Sequence, residues 1–333
     1  MSTLHVTHAA ALGHLVHPGH PERADRIRVI ERVLEQERYS GLIREQAPAA
    51  PTSTLLLAHA EPYVEAVLDG LARGELPGMD ADMVVSAGTL PAVLHGVGGA
   101  LQAVDEVMEG HACNAFVAMR PPGHHAERER ATGFCFFNNV AIAARHARGV
   151  HGAGRVAILD WDAHHGNGTQ DIFWSDPSVL YCSTHQWPLY PGTGAASERG
   201  EYDTMVNVPL AAGDGSAEFQ EALRVVVLPR IEAFRPDLIL VSAGFDAHWR
   251  DPLADLNLTE ADFAWATLQL MDVAERVCGG RIVSLLEGGY DLVGLSRSVA
   301  THVAALMEAS PSRPSAGMIR HSAAHGAGAP GAF

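Results

Sequence analysis

Apolar residues along the 333-residue chain fall into two spacings, and the alternation between them sets the fold class. From Pro21 to Arg38 the positions Ile27, Ile30, Val33 and Leu34 recur at helical spacing behind a proline suited to a first helical turn, which predicts an amphipathic helix. The same period predicts helices over Glu61–Arg73, Thr89–Met108, Asn138–Arg148, Ala217–Phe234, Glu260–Val277 and Leu292–Glu308. Between them lie short β-rich runs at Ala115–Met119, Val156–Leu159, Val179–Cys182, Met205–Val208, Leu238–Val241 and Ile282–Leu286. Each is too short for a helix and continuous enough to be buried on both faces. Such alternation predicts an α/β fold, a parallel sheet with helices on both sides. No internal repeat or interior Pro/Gly/Ser-rich linker divides the chain, so residues 1–310 are expected to form one domain. From about Pro311 the composition turns to Ser, Pro, Gly and Ala, and 311–333 is expected to be a loose tail. Packing of that tail on a partner in a homo-oligomer is the alternative.

Composition narrows the chemistry. With 47% apolar and 19% charged residues the chain can bury a large core without disulfide or metal staples. The net charge of −16 argues against a nucleic-acid partner and favours steering of cationic substrates. All basic residues are arginine, which excludes a Schiff-base lysine, a pyridoxal-phosphate anchor and a phosphate-loop lysine. Cys113, Cys135, Cys182 and Cys278 are widely separated, as expected of a reduced cytoplasmic protein. Met1–His20 lacks a basic start followed by an apolar run, and no segment approaches the roughly 18 apolar residues of a membrane span. An exported or membrane-embedded protein is therefore not expected. Nineteen histidines suggest acid–base or metal chemistry, although most of them are expected at the surface.

In open parallel sheets, sites form beyond the carboxyl ends of the strands. Four such ends carry unusual residues: Arg120-Pro-Pro-Gly-His124-His125, Asp160-Trp-Asp162-Ala-His164-His165-Gly-Asn167, Ser-Ala-Gly-Phe-Asp246 and Glu287-Gly-Gly-Tyr290. Along an extended strand Asp160, Asp162 and His164 share one face, while Trp161, Ala163 and His165 point away. Asp162 and His164 make a two-ligand clip that Asp246 can complete, leaving room for water, as a catalytic zinc requires. Iron(II) suits the same donors. An Asp-x-His pair alone is more often a capped turn or a surface pair; the full set of strand ends is what carries the metal reading. His124 and His125 follow a stiff Pro-Pro-Gly turn and suit proton transfer beside a metal. Asp160 and Asn167 are suited to orient these two rings, and Tyr290 to bind a developing oxyanion, with Gly288 and Gly289 letting its loop curl inward.

The motifs RPPGHH, GFCFFNN, DWDAHHGNGTQ, SAGFDAH and LEGGY, in this order, resemble the histone deacetylase superfamily over roughly residues 14 to 305. Asn167 and Glu287 look more like class II deacetylases and bacterial deacetylase-like amidohydrolases than like class I. The resemblance implies the arginase-deacetylase fold with an eight-stranded parallel sheet. It implies zinc ligands at Asp162, His164 and Asp246, His125 as general base and acid, and electrostatic help from His124. Asp160 and Asn167 would orient the histidines, and Tyr290 would polarise the carbonyl. It also implies tunnel walls at Gly133, Phe134 and Tyr190, and a structural potassium near Asp160, Asp162, His164, Ser183 and Thr184. Leu253 stands where a polyamine-selective relative carries a glutamate, and Asp251 and Asp255 beside it do not occupy that position. Asp80 and Asp82 are candidates for a substrate-gripping acid, with plain surface solvation the expected role of each.

The expected activity is hydrolysis of a short acyl amide, with an acylated lysine side chain as substrate. Three rivals stand beside it: an amidohydrolase of acetylpolyamines or xenobiotic amides, an acyl-lysine-binding module without turnover, and a two-metal ureohydrolase. The last needs more Asp and His ligands than these strand ends offer.

Overall fold

The computed structural model describes residues 2–76, 80 and 83–308. The tail from 311 and Asp82 therefore lie outside the described residues. Eight strands form one all-parallel sheet: β1 (Thr3–Thr7), β2 (Ile43–Gln46), β3 (Asn114–Val117), β4 (Val156–Asp160), β5 (Val179–Gln186), β6 (Met205–Leu210), β7 (Leu238–Ala243) and β8 (Ile282–Leu286). Their spatial order is β2-β1-β3-β8-β7-β4-β5-β6. The last two strands thus insert between the two halves laid down before them, and β3, β8, β7 and β4 become neighbours. These are the four strands whose carboxyl ends carry the polar motifs.

Among the described residues there are ten α-helices: α1 (Ala10–Gly13), α2 (Asp25–Leu34), α3 (Glu61–Arg73), α4 (Thr89–Met108), α5 (Asn139–His151), α6 (Asn167–Phe173), α7 (Ser216–Glu221), α8 (Leu228–Phe234), α9 (Glu260–Cys278) and α10 (Leu292–Glu308). One layer is built on α4 and α5, which pack on each other and on β1, β3, β4, β7 and β8. The opposite layer runs α2, α10, α9, α8. The central strands β3, β4, β7 and β8 are buried throughout, which explains their unbroken apolar runs.

Sequence and structure differ at four elements and one class of residue. The strands β1 and β2 have no apolar run to betray them: β1 buries Thr3 and His5 along with Leu4 and Val6, and β2 is an exposed edge with sequence IREQ. The first long helix begins at Asp25 rather than Pro21, so that residues 21–24 extend the loop that carries Gly19 and His20. The span 217–234 is two α-helices joined by a π-helical turn at Ala222–Val227; Pro229 lacks the N–H that Val225 would accept, and the helix restarts there. Most described histidines are buried rather than at the surface, among them His5, His14, His59, His165, His185 and His302. Hydrogen bonds explain this: His302, for example, lies between Thr267 Oγ1 at 2.7 Å and Ser284 Oγ at 2.9 Å.

Burial keeps several of these rings neutral, holding His14, His59 and His185 down at about 4 and His302 at about 3. The unfolded chain takes up these protons near pH 6.5 while the folded chain resists. The contribution of these rings to stability should therefore be full above pH 6.5 and fall below it, each ring costing about 1.4 kcal/mol per pH unit down to its folded value. Urea unfolding of wild type and His302→Phe at pH 7, 6 and 5 checks this: the difference between them should shift against wild type as the pH falls, and a constant difference would contradict neutral burial of His302.

Candidate active site

Beyond β4 the chain turns at once, because Asp160 Oδ1 accepts the Asp162 N–H at 3.1 Å and Asp162 Oδ1 accepts the His164 N–H at 2.9 Å. These two successive Asx turns, rather than strand alternation, aim Asp160, Asp162 and His164 at one place; β4 itself ends at Asp160. Trp161 points away as expected and packs on His302 and Phe263 in the core. Asp246 arrives from the end of β7, and its Oδ1 accepts the Ala163 N–H at 2.7 Å. His164 Nδ1 lies 2.8 Å from Asp246 Oδ2 and 3.2 Å from Asp162 Oδ1. The three residues are buried, with one donor atom from each within 4.8 Å of the others. A Cβ at Gly244 would stand 2.0 Å from Asp162 Oδ2, and one at Gly288 would stand 2.4 Å from Asp246 Oδ2, so only glycine lets the β7 and β8 loops close around the carboxylates.

The electrostatics of this set call for a cation. Burial and the Asp162 charge push Asp246 up to about 7, because two such carboxylates cannot both ionise cheaply in a buried place. Burial opposes charge on His164, yet the two carboxylates hold its proton well above the ordinary histidine range. An oxygen, nitrogen, oxygen donor set with this demand for positive charge fits a divalent ion of zinc type.

His124 and His125 lie beside the triad at the end of β3. His124 Nδ1 is 3.0 Å from Asp160 Oδ2, and its Nε2 is 3.9 Å from Asp162 Oδ2. Burial works against its charge, but Asp160, Asp162 and Glu287 together raise it to about 10. His125 is the opposite case: burial and the positive charges of His124 and His164 hold it well below the ordinary value. Its Nδ1 is 2.8 Å from Asn167 Oδ1, while Asn167 Nδ2 donates to Glu127 Oε1 at 2.7 Å. Because Glu127 claims the amide NH₂, Asn167 must present its oxygen, and His125 Nδ1 must carry the proton. Its Nε2 lone pair is thereby left for the cavity.

Several residues here escaped sequence reasoning. Glu127 was invisible as an orienting group, since it follows His125 by two residues and looks like surface charge. Glu287 stood out as a class marker only; in the fold its Oε2 accepts the N–H groups of Gly123 at 2.7 Å and His124 at 3.2 Å, so that β8 fixes the backbone of the histidine pair. Asp251 is buried and accepts the N–H groups of Tyr290 at 2.6 Å and Asp291 at 3.2 Å, which sets the tyrosine loop. Arg26 reaches the same loop, donating to the carbonyls of Gly289 at 2.7 Å and of Glu287, and its guanidinium lies 5.0 Å from the Tyr290 ring centre. Burial, followed by the nearby carboxylates, raises the Tyr290 hydroxyl well above its usual range, so it stays a donor.

A cavity of about 640 Å³ leads to the triad. Gly133, Phe134, Tyr190 and Leu253 line it, together with His17, His20, Leu189 and Tyr290. The loop before α2 therefore forms one wall, with His20 edge-on to Phe134 at 5.0 Å. Asp80 is not merely solvated: its carboxylate bonds Arg130 at 3.1 Å and the hydroxyl of Thr132, which also meets Tyr190. Ser183 pairs with Asp160 across β4 and β5, and Thr184 follows it; both are buried.

Residues 20–306 match the histone deacetylase domain family. The chain belongs to that family. It is similar to the histone deacetylase-like amidohydrolase of Pseudomonas aeruginosa, with 40% identity over 82% of this chain and 73% of that protein. A probable deacetylase of Archaeoglobus fulgidus is 38% identical over 87% of this chain and 81% of its own length. Among solved structures, the HDA15 HD domain superposes with a TM-score of 0.85 and 36% identity, over 93% of this chain and 90% of that one. The fold is thus the arginase-deacetylase fold, and the histone deacetylase-family protein is a hydrolase acting on amides.

Beneath the site, Glu22 joins Arg120 Nη2 and Arg26 Nη1 (3.2 Å), all three fully buried. Burial alone would raise the Glu22 carboxyl, but the guanidiniums hold it down at about 2. Its removal leaves two buried cations short of a partner. Glu22→Gln should therefore destabilise the fold by about 3–5 kcal/mol in denaturant titrations at pH 7. In line with the depressed value, the difference from wild type should shrink as the pH falls from 4.5 towards 2, where Glu22 itself loses its charge.

Proposed function

We propose that this histone deacetylase-family protein is a zinc-dependent amidohydrolase that removes acetyl or another short acyl group from acylated lysine side chains. One observation carries the reading: a buried Asp162–His164–Asp246 set lies at the foot of a cavity lined by Phe134 and Tyr190, with His125 and Tyr290 on its walls. Zinc held by those three residues would polarise the amide carbonyl and make a water acidic enough to attack near neutral pH; Fe²⁺ suits the same donors.

The chain's own groups divide the remaining work. His125, kept neutral with its proton on Nδ1, accepts a proton at Nε2 from the attacking water and returns it to the leaving amine. His124, charged and held by Asp160, contributes positive potential beside the developing negative charge. Tyr290 donates its hydroxyl hydrogen to the carbonyl oxygen as that oxygen gains charge. Asp160 and Asn167 hold the two rings in register, and Asn167 is itself oriented by Glu127. Gly133, Phe134, Tyr190 and Leu253 form the tunnel for the aliphatic stem of the substrate. The adjacency of β4 and β5 supports a structural potassium near Asp160, Asp162, His164, Ser183 and Thr184. We read residues 1–310 as the catalytic domain, in keeping with the extent of the family match and the end of α10 at Glu308. Four free cysteines support a reducing compartment such as the cytoplasm, and no described helix is long and apolar enough to cross a membrane.

On an acetyl-lysine peptide, His125→Ala and Tyr290→Phe should each lower kcat/KM by about 10²-fold or more. Unchanged rates in both would remove the assigned roles. Acetylated polyamines should turn over much more slowly than the peptide; comparable rates would favour a small-molecule amidohydrolase, and tight peptide binding without product would favour a binding module.

The relay to His125 makes a separate expectation. Glu127→Ala frees the Asn167 amide to flip and should lower kcat by about 10-fold with little change in KM, whereas Glu127→Gln keeps an acceptor and should restore most of the loss. Equal rates for the two variants would deny Glu127 an orienting role.

A further inference from the structure

Among the described residues, a second group of metal-ligating side chains converges as closely as the buried triad does. Asp105 lies near the end of α4, while His146 and His151 lie in the last two turns of α5. Nε2 of both rings is 2.6 Å from the same oxygen, Asp105 Oδ1. The rings face that oxygen from different directions, with centres 5.7 Å apart and planes at 74°. Their side chains are only 14% and 12% exposed, whereas Asp105 is 41% exposed. The imidazoles are thus held by packing, and the carboxylate has room to move.

We propose that Asp105, His146 and His151 form a second site for a divalent cation of zinc type, clasping α4 to α5. Two imidazole nitrogens and a carboxylate oxygen are borderline donors that select Zn²⁺, Co²⁺ or Ni²⁺ over Mg²⁺ or Ca²⁺. In a tetrahedral site with bonds of about 2.0–2.2 Å, ligand atoms stand roughly 3.3 Å apart. Binding therefore needs each nitrogen–oxygen pair to open by about 0.7 Å, a movement that the exposed Asp105 side chain can make. The buried triad is drawn in likewise, with its closest pair at 2.8 Å. The solvent side of Asp105 leaves further positions to water.

The surroundings suit a cation. Glu106 and Glu109 follow Asp105 on the same helix end, where His111 lies against both. Arg145 and Arg148, the nearest positive charges in sequence to His146, are drawn to Asp176 at 3.3 and 3.4 Å. The site is remote from the catalytic cavity by topology. The end of α4 leads into the amino end of β3, and the end of α5 into the amino end of β4, whereas the cavity lies beyond the carboxyl ends of those strands. An ion there would cross-link two helices of one layer and leave the reaction centre untouched.

The test is metal analysis after equilibrium dialysis of the full chain against Zn²⁺, repeated with Co²⁺ for its visible spectrum. Wild type should hold two equivalents per chain, and His151→Ala and Asp105→Asn should each hold one. Both variants should keep wild-type turnover of an acetyl-lysine peptide, which shows that the loss is local. In an Asp162→Asn/His164→Ala background one equivalent should remain, and adding His151→Ala should remove it. A single wild-type equivalent that disappears in this background would overturn the second site, as would two equivalents retained in His151→Ala and Asp105→Asn. One wild-type equivalent that depends on His151 alone would instead support this site and count against zinc in the triad.

Discussion

Two carboxylates, Asp162 and Asp246, are driven together in a place with almost no water, and the rest of the structure answers to that repulsion. Each is neutralised in part by backbone N–H groups: Asp246 by Ala163, and Asp162 by His164 and Gly288. His164 between them takes up a positive charge. Such a pair is costly in an apolar interior unless a cation shares it, which is the physical ground for reading these residues as a group able to hold a metal ion. It also explains the glycines at 244, the first residue after β7, and at 288, the second after β8: a single methyl group at either would collide with the carboxylates.

A second layer of charge keeps the loops in place. Glu22, Arg26 and Arg120 are fully buried and tie three segments together. Arg120 also donates to the carbonyls of Ala11 at 2.8 Å and His14 at 2.6 Å, while Arg26 holds the carbonyls of the LEGGY turn. The histidine pair, the tyrosine and the entrance wall around His20 thus share one rigid support. Glu287 and Asp251 complete it by gripping N–H groups at the base of each loop. Precise placement on loops is achieved here through buried ionic anchors on the chain that precedes and follows them.

The two histidines illustrate how neighbours divide chemistry between identical side chains. Their ring centres are 4.0 Å apart, and both are buried. One faces carboxylates and is charged; the other faces an amide and the positive rings of its neighbours and is neutral. Asp160 leads in charging the first ring, whereas burial and the cationic rings beside it keep the second neutral and the Asn167–Glu127 pair sets which of its nitrogens holds the proton.

The sequence by itself determined the α/β class, six of the strands, most helices and nearly all candidate site residues, because buried parallel strands leave unbroken apolar runs and strand-end polar motifs interrupt them abruptly. It did not reveal β1 or β2, whose few residues mix polar and apolar types, or the break at Pro229 within one amphipathic pattern. Nor could it reveal which charges meet. Tertiary structure alone brought the ends of β3, β8, β7 and β4 side by side, by inserting the last two strands into the middle of the sheet. The roles of Glu22, Glu127, Asp251 and Glu287, and the convergence of Asp105 with His146 and His151, depend on such long-range closures. Hydrophobic periodicity records which face of an element is buried, but the identity of the partner across a polar contact is fixed only when the chain has closed on itself.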